Sequence, residues 1–376
     1  MQLLNRRMHI DVFGKSTGST GWATHAFNFA AAMDGLAPVR FRTSSKEAIL
    51  NLTGGLRGPL FRGLLFKKRP ADFGVVVSGR PFVKERSARW IVWETTELPE
   101  SQRELCATTR FLWTPSTWGR QNLIANGIEA SRVAVVPEGV DADFFQPAPK
   151  PPGRFRFLTV GKWENRKFTE GLLRAFTEEF GADEPVELHL HAHNPYLANF
   201  SLKAKVEQSG IPNKGNIILG EPCSLPQLRS LYQSADCFVL PTRAEGWGLP
   251  ILESMACGVP AIVTHYSAPV DYINEANGYP LQVARMVEAH DDDFNIHSGM
   301  WAEPDVAHLR HLMRSAYQNR EELIEKGRMA RLTAEKFTWN NAANVALRTI
   351  HQHLQSGQNV VVQPALDGLE SDPLAI

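Results

Sequence analysis

The sequence predicts two α/β domains, each built on a doubly wound parallel sheet, and three observations carry that expectation. The chain has 376 residues, too many for one ordinary core and enough for two domains of roughly 150–200 residues each. Short apolar runs alternate along it with segments of helical period, the pattern of strand–helix–strand units. Near the middle, Pro147, Pro149, Pro151 and Pro152 crowd into six positions and read as a hinge.

In the first domain, residues 9–14 read as a strand, 15–21 as a glycine-bearing loop and 22–33 as a helix. Strand, glycine loop and helix form a ligand-facing unit in open α/β sheets. The apolar runs at 75–79, 90–93, 111–115 and 133–137 supply further strands, and VVPEGVDADFFQP from Val135 to Pro147 closes the domain. Residues 54–69 interleave Leu56, Leu60, Phe61, Leu64, Leu65 and Phe66 with Arg57, Arg62, Lys67, Lys68 and Arg69. Such a segment either packs on its own domain, the favoured reading, or lies in an anionic membrane interface; both stay open.

In the second domain the runs at 155–161, 186–192, 216–220, 236–240 and 260–264 read as buried parallel strands. A helix is expected from about 168, because Leu172, Leu173 and Phe176 fall at helical spacing. Lys162, Arg166 and Lys167 then occupy the loop before it, on the ligand side of the sheet. Pro250 fits the first turn of another helix, which Gly258 and Pro260 end. That leaves Glu245 in the loop before this helix and Glu253 on its first turns. A loop of type Glu-Gly-Trp-Gly-Leu aims free backbone N–H groups, with the helix dipole, at a polar and negative ligand. Residues 285–300 read as an irregular surface insertion. From Pro304 the helical period returns, and 337–339 lead into a last helix ending near 354. Residues 357–376 lack periodicity and read as a loose tail.

Charge and cysteine usage narrow the function. Lys plus Arg equals Asp plus Glu, 40 of each, so no global field argues for nucleic acid. The distribution is uneven: residues 1–146 hold 19 basic and 13 acidic residues, leaving 21 and 27 for the remainder, or about +6 against −6. A basic first domain resting on an anionic surface fits that asymmetry, although solvated faces are the commoner cause. The four cysteines, Cys106, Cys223, Cys237 and Cys257, form no C-x-x-C pair and read as thiols in a reducing cytoplasm. The amino terminus has no apolar region suited to a signal peptide, and no window reaches the length of a spanning helix. The expected location is cytoplasmic, with peripheral contact at the inner face of the membrane through 54–69 as the open alternative. His189, His191 and His193 share one face of a strand, but no nearby carboxylate or cysteine completes a metal set, so no metal site is expected.

The stretch ADCFVLPTRAEGWGLPILESMACGVPAIVTH, from Ala235 to His265, resembles the donor-binding signature of retaining glycosyltransferases of family 4. Its two glutamates, its Gly-aromatic-Gly turn, Pro250, Met255-Ala256 and Gly258-Val259-Pro260 all agree with that pattern. The 135–147 stretch resembles the same family's interdomain linker. The resemblance implies a GT-B fold, two Rossmann-like domains facing across a cleft. The domains would be 1–146 on the acceptor side and 147–336 for the nucleotide sugar, with a helix at 337–356 crossing back onto the first domain. It implies transfer of a hexosyl group, with retention, from a nucleotide-diphosphate sugar to an acceptor hydroxyl in polysaccharide or glycolipid biosynthesis, without a cofactor and without a metal.

By the same resemblance Glu245, Lys162 and Lys167 are the expected catalytic residues, Glu245 holding hydroxyls of the transferred sugar and the lysines the diphosphate. The expected donor contacts are Gly21, Arg166, Gly246, Trp247, Gly248, Leu249, Glu253 on the ribose, and Leu219 beside the base. Two departures stand out. Thr20 occupies the place of the first member of the family's glycine pair, Gly21 matching the second. The first-domain histidine usual in the family is missing from Trp93-Glu94-Thr95-Thr96-Glu97, leaving Glu94, Thr95 or His25 to take its role. A nucleotide-sugar-binding protein without catalysis and a nucleotide-sugar epimerase are the alternatives.

Overall fold

The computed structural model describes residues 8–14, 21–42, 71–77, 86–212 and 215–355. The basic segment 54–69, the loop 15–20 and the tail 357–376 lie outside the described residues.

The first sheet holds β1 (Ile10–Phe13), β2 (Val39–Arg42), β3 (Phe73–Val76), β4 (Ser87–Trp90), β5 (Phe111–Thr114) and β6 (Val133–Val135). They lie in the order β2-β1-β3-β4-β5-β6, every pair parallel. β4 and β5 are buried along their whole length; β5 is a continuous apolar run for that reason, whereas β4 holds Ser87 and Arg89 and so lies at 87–90, ahead of the apolar run at 90–93 expected to be the strand. Helix α1 (Gly21–Asp34) packs Ala26, Phe29, Ala30 and Met33 on this sheet. Helices α2 (Glu100–Ala107) and α3 (Thr117–Ala125) belong to the same domain. Ser116 caps α3, its Oγ accepting from the Gly119 N–H at 3.0 Å.

The second sheet holds β7 (Phe155–Val160), β8 (Val186–His191), β9 (Ile217–Leu219), β10 (Cys237–Leu240), β11 (Ala261–Thr264) and β12 (Gly278–Leu281). Its order is β12-β11-β10-β7-β8-β9, again wholly parallel. Helices α4 (Thr169–Glu179), α5 (Leu202–Gln208), α6 (Leu225–Ser234), α7 (Leu249–Ala256), α8 (Val306–Gln318) and α9 (Arg320–Ala334) complete this domain. Two parallel-sheet domains of this arrangement are the GT-B fold.

The segment expected to be an irregular insertion is instead an antiparallel hairpin, β13 (Val283–Glu288) with β14 (Met300–Pro304). Its buried residues lie almost entirely on the second strand, where Trp301 and Ala302 are fully buried. The first strand therefore shows none of the alternation by which a half-buried strand is recognised, and the pairing lies between strands too far apart for turn chemistry to announce it.

Contacts between the domains include the following. The last helix, α10 (Trp339–Gln355), buries Trp339, Ala342, Ala343, Ala346, Leu347 and Ile350 in the core that contains Ile10, Phe29, Trp90 and Trp113. That spacing is one helical stripe, so the end of the chain finishes the core of its beginning. Gly139 permits the approach: a Cβ there would lie 2.3 Å from the Trp339 nitrogen. Asp271, from the second domain, accepts from the Thr117 N–H at 2.7 Å and so binds the amino end of α3. The hairpin also leans on the loop after β4. Trp301 Nε1 donates to the Glu94 carbonyl at 2.8 Å, and the Met300 N–H to Thr96 Oγ1 at 2.8 Å.

Candidate active site

In the second sheet the strand order reverses direction between β7 and β10. The two loops leaving their carboxyl ends therefore diverge to opposite sides, and a crevice opens at that point. From β7 the chain runs through Gly161 and Lys162 into one 3-10 turn, Asn165–Lys167, and enters α4 through Phe168 at φ 55°. From β10 it runs through Thr242 and Glu245 to Gly248, which precedes α7 with φ 97°. A side chain at Gly248 would also bring its Cβ within 2.8 Å of the Tyr272 hydroxyl, and that hydroxyl donates to the Trp247 carbonyl at 2.6 Å. Only glycine fits both the dihedral and the space. Trp247 packs against Tyr272 and Phe337, so its ring anchors the loop from below while the amino end of α7 faces the cleft.

The two loops meet in a buried group of charges. Lys167 Nζ lies 2.6 Å from Glu245 Oε1, and Arg166 Nη1 lies 3.2 Å from the same oxygen. The other end of the Arg166 guanidinium reaches Glu164 Oε1 at 2.6 Å and, across the domain boundary, Glu94 Oε1 at 3.4 Å. Arg166 also donates to the Ala244 carbonyl. Lys162 Nζ pairs with Glu164 Oε2 at 2.9 Å and lies over the rings of Phe294 and Tyr196, at 4.7 and 5.2 Å. Glu164, Arg166, Lys167 and Glu245 are all under 9% exposed. Three carboxylates thus face three cations; Glu94 and Lys162 keep 31% and 34% of their side-chain surface, and the other four stay ionised out of water because they are paired.

The environment sorts the carboxyls by affinity for a proton. Burial pushes Glu245 up, but Lys167 and Arg166 outweigh it and hold the carboxyl below the usual range. Burial likewise opposes ionisation of Glu164, yet Arg166, Lys167 and Lys162 bring it down to about 2. Glu94 is raised, because its burial outweighs its pairing with Arg166. Glu253, on α7, is pushed up to about 7 by burial, with one offsetting hydrogen bond from the Tyr232 hydroxyl at 2.9 Å.

These groups line a cleft of about 810 Å³ between the domains, of the size that holds a cofactor or nucleotide. Gly21, Lys162, Arg166, Lys167, Glu245, Trp247, Gly248, Leu249 and Glu253 all border it. Gly21 stands at the start of α1 directly opposite α7: a Cβ there would be 4.0 Å from Leu249 Cδ1. Two expected contacts lie differently. Gly246 is turned to the first domain, where a Cβ would fall 2.0 Å from Val92 Cγ1; its lack of a side chain serves the closure of the two domains. Leu219 belongs to the edge strand β9 and packs against the second core, and the following Gly220 and Glu221 border the cleft in its stead.

Of the three first-domain candidates, Glu94 enters the charged group. Thr95 is buried in its own loop, its Oγ1 donating to the Glu97 carbonyl at 2.8 Å. His25 borders the cleft but is buried, with Nδ1 3.2 Å from Glu138 Oε1 and its ring edge-on to Trp90. Glu164 and Glu138 escaped the sequence reading because nothing in their spacing announces them; their neighbours in space are far away in the chain, or, for Glu164, hidden in an irregular turn. Of the strand histidines, His189 has a carboxylate beside it that the sequence did not suggest: its Nε2 lies 2.9 Å from Glu187 and accepts from Arg156 Nε at 3.1 Å.

Residues 154–293 match the family model described as glycosyl transferases group 1. The second domain is a group 1 glycosyltransferase domain. The chain is 24% identical over 285 residues to a D-inositol 3-phosphate glycosyltransferase of Paenarthrobacter aurescens, covering 70% of this chain and 64% of the relative. It is 25% identical over 235 residues to a GDP-mannose-dependent α-(1-6)-phosphatidylinositol dimannoside mannosyltransferase of Mycobacterium tuberculosis, covering 59% and 53%. The chain thus spans less than two thirds of the length of these curated relatives. In fold it is similar to a glycosyltransferase from Rickettsia africae, with TM-score 0.68 at 14% identity, covering 94% of this chain and 100% of the other. It is also similar to Anabaena HepE solved with UDP and glucose, with TM-score 0.66 at 11% identity, covering 92% and 100%. The matched stretch takes in the second sheet and both charged loops, and the two-domain GT-B architecture is what the chain shares with the solved structures.

Proposed function

We propose that the chain transfers a hexosyl group, with retention, from a nucleotide-diphosphate sugar to an acceptor hydroxyl in polysaccharide or glycolipid synthesis. The observation that carries this reading is the buried contact of Glu245 with Lys167 and Arg166 at the switch point, beside the amino end of α7. Transfer builds negative charge on the leaving phosphate and positive charge on the sugar ring. Lys167, Arg166, Lys162 and the amides opening α7 meet the first need without a metal ion. Fixed donors in a site shielded from water are usually the largest catalytic contribution. Glu245, held ionised by its cations, accepts from sugar hydroxyls. Glu253 accepts from the ribose diol.

In the step itself the bond from the anomeric carbon to the phosphate oxygen breaks, and a bond from that carbon to the acceptor oxygen forms on the same face. The acceptor's proton passes to the leaving phosphate, so no protein nucleophile is needed. Glu94 takes the first-domain position toward the donor sugar. The names of the relatives point to an inositol-containing or lipid-linked acceptor, and the solved complex with UDP and glucose to a nucleotide-sugar donor.

A panel of nucleotide sugars, scored by thermal shift and by nucleotide release, tests this. One donor is expected to raise the thermal midpoint and to release its nucleotide when an acceptor is present. Stabilisation without release under any acceptor identifies a binding protein instead, and conversion of the sugar without an acceptor identifies an epimerase.

A further inference from the structure

The tip of the β13–β14 hairpin carries a second constellation, separate from the cleft. Asp291 and Ile296 form an antiparallel bridge, each N–H donating to the other's carbonyl, at 2.8 and 2.9 Å. Such a bridge makes the next residues outward, His290 and His297, cross-strand neighbours with side chains on one face. Asp292 follows His290 by two positions. Asn295, at φ 52°, turns the chain back. The result is that one ligand atom from each of His290, Asp292 and His297 lies within 4.8 Å of the other two. His290 Nε2 is 3.3 Å and His297 Nδ1 3.9 Å from Asp292 Oδ1, and the two Nδ1 atoms are 3.4 Å apart. Ligands at about 2.1 Å from a tetrahedral ion stand about 3.4 Å from one another. Because His290 meets Asp292 with Nε2 and His297 with Nδ1, and one ring nitrogen alone can hold an ion, its exposed ring has to turn to bring a single nitrogen to that spacing from both.

We propose that His290, Asp292 and His297 form a binding site for a borderline divalent cation of the zinc class, with water in the fourth position. Two imidazoles and one carboxylate favour zinc, nickel or copper over magnesium and calcium, which prefer oxygen ligands. The same tip is bound to the loop after β7. Asp291 Oδ2 accepts from the Asn165 N–H at 3.0 Å, Asn165 Nδ2 donates to the His290 carbonyl at 2.6 Å, and Phe294 lies against Lys162. An ion held by His290 and His297 closes the hairpin tip across its bridge and so fixes the segment that supports Lys162 and Asn165. The site does not depend on the reaction proposed above and takes no part in its chemistry.

The full chain, stripped of metal, is titrated with ZnCl₂ in competition with a chromogenic chelator, with thermal midpoints read in parallel. One Zn²⁺ per chain and a raised midpoint are expected, neither affected by excess Mg²⁺. His290→Ala and His297→Ala should each weaken binding at least about tenfold and abolish the rise in midpoint. The two side chains are 63% and 48% exposed, so the variants keep their circular dichroism. If one of them does not fold, the other decides. No binding by the parent overturns the proposal, and so does undiminished binding by the folded variants, which would put the ion elsewhere, such as at the exposed Cys223.

Discussion

Glu253 carries a carboxyl that burial pushes up to about 7, against about 4.5 when unfolded. The native state therefore holds this proton more tightly than the unfolded chain. Its contribution to stability is complete below pH 4.5 and is lost as pH rises through 7, about 3 kcal/mol in all. Urea midpoints of the parent should fall across pH 5–8, and those of Glu253→Gln should fall less steeply. Equal slopes would mean that Glu253 ionises as freely in the folded protein as outside it. Lys167 poses the opposite case, a cation whose partner is buried with it. It neutralises Glu245 at 2.6 Å; in the proposed reaction it would turn to the diphosphate while sugar hydroxyls approach Glu245. Lys167→Ala and Glu245→Ala should each lower transfer by about 10²- to 10³-fold. Removing one partner also leaves the other buried, at about 3 kcal/mol, so a urea midpoint must accompany each rate. Near-parental turnover in both variants would show that the reaction lies elsewhere.

At the scale of the element, the loop from Leu240 to Leu249 depends on two glycines for different reasons. Gly248 adopts φ 97° with the Tyr272 hydroxyl in the space of a side chain, and Gly246 presses on Val92 of the other domain. Gly248→Ala should lose about 1–3 kcal/mol from backbone strain and should weaken nucleotide binding, because the amides opening α7 shift with the turn. Gly246→Val meets no strained dihedral but pushes Val92 away, so it should disturb closure and activity more than the stability of the isolated second domain. A calorimetric trace in which Gly248→Ala melts like the parent would remove the argument from conformation. The glycines and Pro250 made this loop and its helix legible in sequence, since both act through local backbone geometry. The hairpin that supports the loop was not legible: it pairs distant segments, and its buried residues sit mainly on one strand.

On the scale of the whole molecule, each domain helps to complete the other. Asp271 binds the amino end of α3 from across the boundary. Asp271→Ala should therefore cost about 1 kcal/mol, as loss of a cap does; an unchanged thermal midpoint would mean that the contact contributes nothing. The larger dependence is on α10, whose apolar stripe lies in the first-domain core. Ending the chain after Phe337 should leave the core around Trp90 and Trp113 uncovered and give an aggregating product; a soluble, cooperatively melting fragment would refute this. Among the described residues no helix is long and apolar enough to cross a membrane.

The sequence by itself determined what short-range physics governs: the alternation of buried strands and helices, the glycine turn and proline start of α7, the positions of Glu245 and Glu253, and the amphipathic last helix. It also supplied the resemblance that pointed to Lys162, Lys167 and Arg166. Only the tertiary structure decided how those charges are shared. Glu94 and Glu164 join Glu245 around Arg166, Lys162 leans instead on Glu164 and Phe294, and His25 turns to Glu138. Coulomb energy depends on distance in space and on burial, and neither is written in the spacing of residues along the chain.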